Sequence, residues 1–304
     1  MRPEAPGLLV GFDFGGTKLA VTLADEHGSR VSDEVLPTEA EHGAERAVRR
    51  AIDSARRQLA DQDAVAAAVG VATMGVTHDD HVELAPNVPG WDRLALPAML
   101  KEAFGPVPVA IANDVKAAAL AELTWGELRG VGTGIYLNLG TGIAAALVVD
   151  GTVLGGAHGA AGEIGYWARS GADEVGAAGG RAPLEEYAGG SGALLRARTE
   201  LGVDGGVAAL AGMDDPRARA FLDDLYAEIA RHTANLAIAV DPERVVVGGG
   251  YARGPDDVLA VIRARLDAFV PYPPELRRAA FGADAGTAGA VALAMGAPSR
   301  RPPG

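Results

Sequence analysis

The chain of 304 residues contains no cysteine and has a clear deficit of positive charge. Without cysteine, disulfide bonds and thiolate metal sites are excluded. Its 27 Lys and Arg residues stand against 40 Asp and Glu residues, which gives a net charge of -13. Proteins bind nucleic acids and anionic membrane surfaces through clustered basic residues, so neither is expected as a partner of this chain.

Long hydrophobic runs are also missing. No segment approaches the ~20 consecutive apolar residues of a membrane span. The first apolar stretch, residues 7–12, reaches Asp13 too soon for the hydrophobic region of a signal peptide. We therefore expect a cytoplasmic protein. With 48% hydrophobic and 22% charged residues the chain is expected to be globular, and its length suggests about two domains.

The residues that are present alternate between strand and helix patterns. Glycine is abundant, at 42 residues, and clusters directly after apolar runs, which favours tight turns. In the first half the patterns predict strands over 8–13, 18–24, 29–36, 64–73 and 107–112, and helices over 44–59 and 96–104. A further helix is predicted to start directly after Asn113 and Asp114.

The second half begins with the same pattern as the first. Strands are predicted over 134–139 and 143–149 around a turn at Gly140-Thr141-Gly142, and Gly15 matches Gly140 in register. Later patterns predict a helix over 222–240, a strand over 244–247 and a small-residue helix over 287–295. We interpret this as a duplicated strand–turn–strand unit that opens each half of an α/β protein.

The turn Asp13-Phe14-Gly15-Gly16-Thr17-Lys18 has the composition of a phosphate-binding turn. Its two glycines let backbone N–H groups approach phosphate oxygens, and Thr17 and Lys18 add a hydroxyl and a cation. Asp13 could hold Mg²⁺, directly or through water. The turn is not a Walker A loop. The alternative interpretation is a glycine hairpin with a surface lysine.

The turn at Gly140-Thr141-Gly142 resembles a dinucleotide-binding fingerprint only in its glycines. Asp150-Gly151 ends the run before the helix that such a fingerprint requires. A second phosphate-facing hairpin is the better interpretation.

Asn113 and Asp114 lie at the end of a predicted strand and the start of a helix, where α/β proteins commonly place their sites. A carboxylate at this point can accept the proton of an attacking hydroxyl, while Asn113 orients the same substrate. The alternative is a structural helix cap.

Taken together, the motifs resemble the ROK family of sugar kinases over nearly the whole chain. The matching segments are 13–18, 85–91, 113–114, 117–122, 140–142, 161–165 and 245–249. The resemblance implies the actin-like ATPase fold, in which two ribonuclease-H-like domains with a cleft between them close on ATP and a sugar. We expect a small N-terminal domain over residues 1–115, with residues 286–304 packing back on it, and a larger domain over 116–285.

The resemblance also implies roles for single residues. Asp114 would be the general base on the acceptor hydroxyl, commonly a primary hydroxyl of a hexose. The contacts with the sugar would come from Gly75, Asn87, Asn113, Glu163, Tyr166 and Glu185. The phosphates would face Gly15, Gly16, Thr17 and Lys18 in one turn and Gly140, Thr141 and Gly142 in the other. Gly249 and Gly250 would face the adenosine.

The chain departs from the family pattern at one place. Zinc-containing members follow Gly-Glu-Ile-Gly with a histidine and then a cysteine-rich run; here Tyr166 replaces the histidine, and residues 176–185 hold no cysteine. We therefore expect no zinc site, with Glu185 as the remnant of that run. The missing histidine would have contacted the sugar, so glucose is not assured as the acceptor.

The leading hypothesis is an ATP- and Mg²⁺-dependent kinase that transfers the γ-phosphoryl group to a hydroxyl of a sugar or sugar-like polyol. One alternative keeps this chemistry and takes a cyclitol or another non-glucose polyol as the acceptor. A second alternative is a catalytically inactive regulator that binds a sugar. The resemblance further suggests a homodimer.

Overall fold

The computed structural model describes residues 5–77, 82–83, 88–253 and 257–297. Asn87, one of the predicted sugar contacts, lies outside the described residues.

Strands and helices alternate along the chain. The strands are β1 (Gly7–Phe14), β2 (Lys18–Ala24), β3 (Arg30–Pro37), β4 (Val65–Thr73), β5 (Val76–Thr77), β6 (Val82–Glu83), β7 (Val109–Asn113), β8 (Gly134–Leu139), β9 (Ile143–Val149), β10 (Thr152–Val153), β11 (Arg244–Gly248) and β12 (Glu275–Arg278). The helices are α1 (Ala44–Asp61), α2 (Leu96–Phe104), α3 (Asp114–Trp125), α4 (Pro183–Ala188), α5 (Gly190–Arg196), α6 (Gly206–Ala211), α7 (Pro216–Val240), α8 (Asp257–Phe269) and α9 (Ala285–Gly296).

The chain divides into two compact units. The first comprises Met1–Thr124, Gly155–Ala160 and Asp284–Gly304, and the second comprises Trp125–Leu154 and Ala161–Ala283. The first unit therefore includes the C-terminal helix α9 and a short segment from the middle of the chain.

The sheet of the first unit has the strand order β3-β2-β1-β4-β7. Alternate residues of β1 point to opposite faces of this sheet. Val10 and Phe12 belong to the core cluster that α1 covers, whereas Leu9 packs against Val291 of α9. On the α9 face a Cβ at Gly70 of β4 would overlap the carbonyl oxygen of Ala290, so helix and sheet approach each other as closely as backbones can.

The second unit is built around a sheet with the strand order β10-β9-β8-β11-β12. Its core includes inward residues of β8, β9 and β11 and one face of the long helix α7. Helix α7 begins after Asp215, whose side chain accepts a hydrogen bond from the backbone N–H of Arg217 at 2.8 Å, and Pro216 occupies its first position. Both features favour helix initiation.

The two sheets are duplicates in topology. In the first sheet β1, β2 and β3 pair antiparallel in turn, and β4 and β7 are added in parallel on the other side of β1. In the second sheet β8, β9 and β10 pair antiparallel in turn, and β11 and β12 are added in parallel on the other side of β8. The predicted duplication is thus confirmed, although the sequence pattern supported it only for two short segments. Within the described residues, no helix is both long and apolar enough to cross a membrane.

Candidate functional site

The predicted phosphate turn of the first unit connects β1 to β2. Its backbone closes through a hydrogen bond from Gly15 N to Lys18 O at 3.0 Å, which leaves the exposed Thr17 and Lys18 at the tip. The hydroxyl of the buried Thr38 donates to Gly15 O at 2.7 Å. Thr38 therefore anchors the turn, and the sequence analysis missed it because its partner lies 23 residues away.

Asp13 lies on the α9 face of the first sheet, since it follows Leu9 and Gly11 in the two-residue period of β1. Its carboxylate contacts Gly286 in the first turn of α9, where a Cβ would stand 2.7 Å from Oδ1. Burial, followed by the negative charge of Asp114, raises the pKa of Asp13 to about 6, and the charge of Lys18 partly offsets this rise. The structure thus brings Asp13, Lys18 and Asp114 together.

Asn113 and Asp114 mark the start of α3. The Oδ1 atom of the buried Asn113 accepts a hydrogen bond from Lys116 N at 2.8 Å, so Asn113 caps the helix. Asp114 is exposed, and its Oδ1 accepts from Val115 N at 2.9 Å. The cap by Asn113 agrees with the structural interpretation, and the helix start that it fixes presents Asp114 to solvent. The role of Asp114 as general base stays a prediction.

Helices α3 and α9 pack closely enough to fix Asp114 and Asp13 relative to each other. A Cβ at Gly289 of α9 would overlap the carbonyl oxygen of Ala117 and stand 2.8 Å from its Cβ. The small residues of α9 are therefore required by its contact with α3. This packing places both helix starts beside the end of β1.

Lys116 is a buried cation that the sequence analysis missed. Its Nζ donates a hydrogen bond to the carbonyl oxygen of Gly159 at 2.8 Å. The contact ties α3 to the segment Gly155–Ala160. The only signal in the sequence was a lysine inside a run of small apolar residues.

Gly75 follows β4 with a φ of 85°. This is the left-handed region, which disfavours residues with a Cβ. A glycine is therefore required here by the backbone, and its predicted contact with the sugar stays a prediction.

The second phosphate turn lies between β8 and β9. Gly140 N donates to Gly142 O at 3.0 Å, and the first residues of α5 bond to the turn, from Gly190 N to Gly140 O at 2.9 Å. Gly249 has a φ of 87°, and a Cβ on it would stand 2.9 Å from Gly140 N. The start of α5 and the loop at Gly249 therefore both contact the turn.

These elements form one wall of a cavity of about 800 Å³ in the second unit. Gly140, Thr141 and Gly250, which were predicted to contact different parts of one nucleotide, all line it. The remaining lining includes residues that were not predicted as contacts: Ser191, Arg198, Tyr226 and Tyr251. The volume is within the usual range of small-molecule sites.

Three predicted sugar contacts come together elsewhere in the second unit. Burial, then the charges of Glu163 and Glu185, raises the pKa of Tyr166. The three side chains are therefore neighbours. Glu185 is further fixed by Ile143, whose backbone N–H donates to Oε2 at 3.0 Å. A Cβ at Gly142 would lie 2.9 Å from Cδ of Glu185, so this glycine leaves room for the carboxylate.

The acidic pair in the first unit fits a divalent cation. Burial, followed by repulsion from the neighbouring carboxylate of Asp114, raises the pKa of Asp13, whereas the charge of Lys18 lowers it. Mg²⁺ is commonly held by one or two carboxylates together with phosphate oxygens. Within the described residues, no group of three or more His, Cys, Asp or Glu residues could hold a metal by itself.

The chain is similar to known proteins over almost its whole length. The model of the ROK family matches residues 9–297. The N-acetylmannosamine kinase of Salmonella heidelberg is 31% identical over 296 residues, which cover 94% of this chain and 98% of the relative. The solved ROK hexokinase from Thermus thermophilus is 32% identical, with a TM-score of 0.81 over 94% of this chain and 97% of the other.

A further solved relative was determined with ligands. The ROK family glucokinase from Streptomyces griseus, in complex with glucose and AMPPNP, is 28% identical, with a TM-score of 0.73 over 95% of this chain and 99% of the other. The predicted actin-like ATPase fold is confirmed by these structures. The chain belongs to the ROK family.

Proposed function

We propose that the protein transfers the γ-phosphoryl group of ATP to a hydroxyl of a sugar, and that Asp114 accepts the proton of that hydroxyl. As a ROK family protein with glucokinase and N-acetylmannosamine kinase relatives, it is a carbohydrate kinase. The observation that supports the role of Asp114 is its exposed carboxylate at the start of α3, beside Asp13.

The donor is ATP. In the second unit, the turn at Gly140–Gly142 and the residue Gly250 share one cavity of about 800 Å³, which supports a nucleotide with its phosphates at the turn and its adenosine near Gly249 and Gly250. In the first unit, the turn at Gly15–Lys18 supplies a hydroxyl and a cation for phosphate oxygens.

Asp13 is the residue that would hold Mg²⁺. Its carboxylate is repelled by Asp114, and a cation relieves that repulsion. When bound, Mg²⁺ offsets negative charge on the phosphate oxygens. Because phosphoryl transfer requires mainly positioning and charge stabilisation, the protein residues act by binding and orienting both substrates.

The acceptor contacts that we propose come from polar side chains and one backbone position. They are Gly75, Asn87, Asn113, Glu163, Tyr166 and Glu185. Carboxylates accept hydrogen bonds from sugar hydroxyls, and the phenol of Tyr166 adds a donor near two acceptors.

A second candidate keeps the reaction and changes the acceptor to a cyclitol or another non-glucose polyol. The observation that favours it is Tyr166 beside Glu163 and Glu185, at the position where zinc-containing relatives carry a histidine. The longer, neutral side chain alters the shape of the site where the sugar ring would lie.

The test is a coupled ADP-release assay with a panel of hexoses, N-acetylhexosamines and cyclitols. We expect ADP release that depends on at least one acceptor, and a loss of about 10²–10⁴-fold in kcat for Asp114→Asn with nucleotide binding retained. Asp61→Asn, at the exposed end of α1, is the charge-matched control. A fully active Asp114→Asn protein would contradict the proposal.

The same panel separates the alternatives. Efficient glucose turnover with a micromolar to millimolar KM counts against a non-glucose acceptor. Sugar binding without any acceptor-dependent ADP release indicates a catalytically inactive regulator.

A further inference from the structure

The segment between Tyr166 and Pro183 does not fit the zinc ion of zinc-containing ROK members. The chain has no cysteine to supply thiolates, and Tyr166 stands at the position of their histidine. Within the described part of this segment the charged side chains include Arg169, Asp173, Glu174 and Arg181. The two arginines repel a metal ion, so other contacts must order the segment.

Arg169, Glu228 and Arg231 form a compact ionic cluster at the start of this segment, which we call the clasp. Arg169 Nε donates to Glu228 Oε1 at 3.0 Å, and Arg231 Nη2 donates to both carboxylate oxygens of Glu228 at 2.6 Å. Both terminal nitrogens of Arg231 also donate to the backbone carbonyl of Arg169 at 3.1 Å. The clasp therefore fixes both the side chain and the backbone of Arg169 to α7.

The carboxylate at the centre of the clasp is mostly buried, with 11% of the Glu228 side chain exposed. Burial by itself raises the pKa of Glu228, but hydrogen bonds and charge from Arg231 and then Arg169 outweigh it and lower the pKa below its ordinary value. Glu228 therefore stays ionised at neutral pH, which the two charge-assisted contacts require.

The clasp reaches helix α4 through an aromatic ring. The guanidinium carbon of Arg169 lies 3.2 Å from the centroid of the Tyr187 ring, and that of Arg196 lies 3.7 Å from it. The Tyr187 hydroxyl donates to Asp224 of α7. The ring is thus held between two cations and tethered at its tip.

The rest of the segment is closed by its own side chains. Asp173 Oδ2 accepts from Arg169 N at 2.7 Å and from Ser170 N at 2.9 Å. At the other end Arg181 Nε donates to both carboxylate oxygens of Glu186, at 2.9 and 2.8 Å. These contacts shape the turn locally, whereas the clasp connects it to the long helix.

We infer that the clasp positions Tyr166 and Glu185 for the acceptor sugar, in the role that zinc has in zinc-containing members of the family; this inference rests on the proposed function. Tyr166 precedes Arg169 by three residues, and Glu185 precedes Tyr187 by two. The contact of Arg169 with Tyr187 therefore links the two stretches of chain that carry the acceptor contacts. Arg169, Glu228 and Arg231 act as positioning residues.

The test is Glu228→Gln, which keeps the size of the side chain and removes the charge that both arginines share. We expect the KM for the acceptor to rise about tenfold while the KM for ATP changes by less than about twofold, because only acceptor contacts lose their orientation. Glu45→Gln, which removes the partner of Arg49 on the exposed face of α1, is the matched control.

Hydrogen exchange provides a readout that does not depend on catalysis. Peptides covering residues 166–175 are expected to exchange faster in Glu228→Gln than in the wild-type protein, and at the wild-type rate in Glu45→Gln. If Glu228→Gln does not fold, Arg169→Lys serves instead, since it keeps the charge and loses the planar contact with the ring.

Three results would overturn the inference. One is an unchanged acceptor KM in an active, folded Glu228→Gln protein, even with a lower melting temperature. Another is unchanged exchange of residues 166–175. The third is stoichiometric zinc in the purified protein whose removal raises the acceptor KM. A wild-type protein without acceptor-dependent ADP release contradicts the proposed function itself, and the exchange result then still decides whether the clasp orders the segment.

Discussion

The carboxylate of Asp13 lies against the backbone of Gly286, so close that a Cβ at residue 286 would stand 2.7 Å from Oδ1. The contact follows from the two-residue period of β1, which directs Asp13 toward α9, and from the small residues that let α9 approach the sheet. It is also part of the burial that raises the pKa of Asp13 to about 6. The position of the proposed magnesium ligand is thus set by the shape of the C-terminal helix.

Gly286→Ala is expected to lower kcat, because the added methyl group displaces the Asp13 carboxylate. Displacement of a group at a reacting centre lowers the rate by about 10–10²-fold. The fold should be retained, since alanine is the most favourable residue in a helix. The measurement is acceptor-dependent ADP release, with circular dichroism as the check on folding.

The matched control is Gly296→Ala at the end of the same helix, where a Cβ would meet no atom within 4 Å. If Gly286→Ala and Gly296→Ala have the same kcat, the contact with Asp13 has no functional effect.

Asp13→Asn is expected to stabilise the ligand-free protein at high pH while abolishing activity. The folded-state pKa of Asp13, about 6, exceeds its ordinary value of 3.8. The folded state therefore binds this proton more tightly, and stability is lost as the pH rises through about 6. The loss amounts to at most about 3 kcal/mol above that pH, and asparagine avoids it because it does not ionise.

Urea unfolding of both proteins between pH 4 and pH 8 measures this effect. The free energy of unfolding of Asp13→Asn should exceed that of the wild type at pH 8, and the difference should shrink as the pH falls toward 4. A difference that is independent of pH would show that the ionisation of Asp13 is not its source.

Much of this framework could be predicted from the sequence, because it rests on local patterns. Period-two runs and glycine turns located the hairpins of both sheets, and the motifs around Asp13 and Asp114 identified the acidic pair. Thr38, Gly286 and the clasp could not be found in this way. Their roles depend on residues far away in the chain: Arg169 and Glu228, for example, are 59 positions apart.

The proposed acceptor site also shows how far prediction from the sequence reaches. The absence of cysteine excluded a thiolate zinc site from composition alone. What replaces the metal could not be deduced, since arginines and glutamates on a helix surface are usually solvated. The burial of Glu228 and the packing of Arg169 on Tyr187 distinguish this cluster from ordinary surface charge.

His232→Gln is expected to reduce the loss of stability in mild acid. Burial, then the charge of Arg231, lowers the pKa of His232 below its ordinary value of 6.5, although Glu228 acts in the opposite direction. Its ring also packs against Trp167, with centroids 5.7 Å apart. The unfolded chain therefore binds this proton more readily than the folded protein, so stability falls as the pH drops below 6.5.

The effect of His232 is best measured in the Asp13→Asn background, where the opposite contribution of Asp13 is absent. Urea unfolding between pH 8 and pH 5 should show a weaker decline after His232→Gln. An identical pH profile with and without His232 would exclude a contribution from this residue.

Lys116→Met is expected to lower stability and to weaken acceptor binding. The substitution keeps most of the aliphatic side chain and removes the hydrogen bond from Nζ to Gly159 O. Loss of a charged donor to a backbone carbonyl costs about 1–3 kcal/mol. The segment Gly155–Ala160 that this bond fixes leads, three residues later, to Glu163, so we expect a higher KM for the acceptor and an unchanged KM for ATP.

Lys101→Met provides the matched control, because Lys101 is exposed on α2 and the substitution changes the same charge. The free energy of unfolding and the acceptor KM should differ between the two variants only if the buried contact matters. Equal values would mean that the position of Lys116, two residues after Asp114, has no part in holding the acceptor. A selective rise in the acceptor KM for Lys116→Met would add a buried cation to the residues that position the acceptor site.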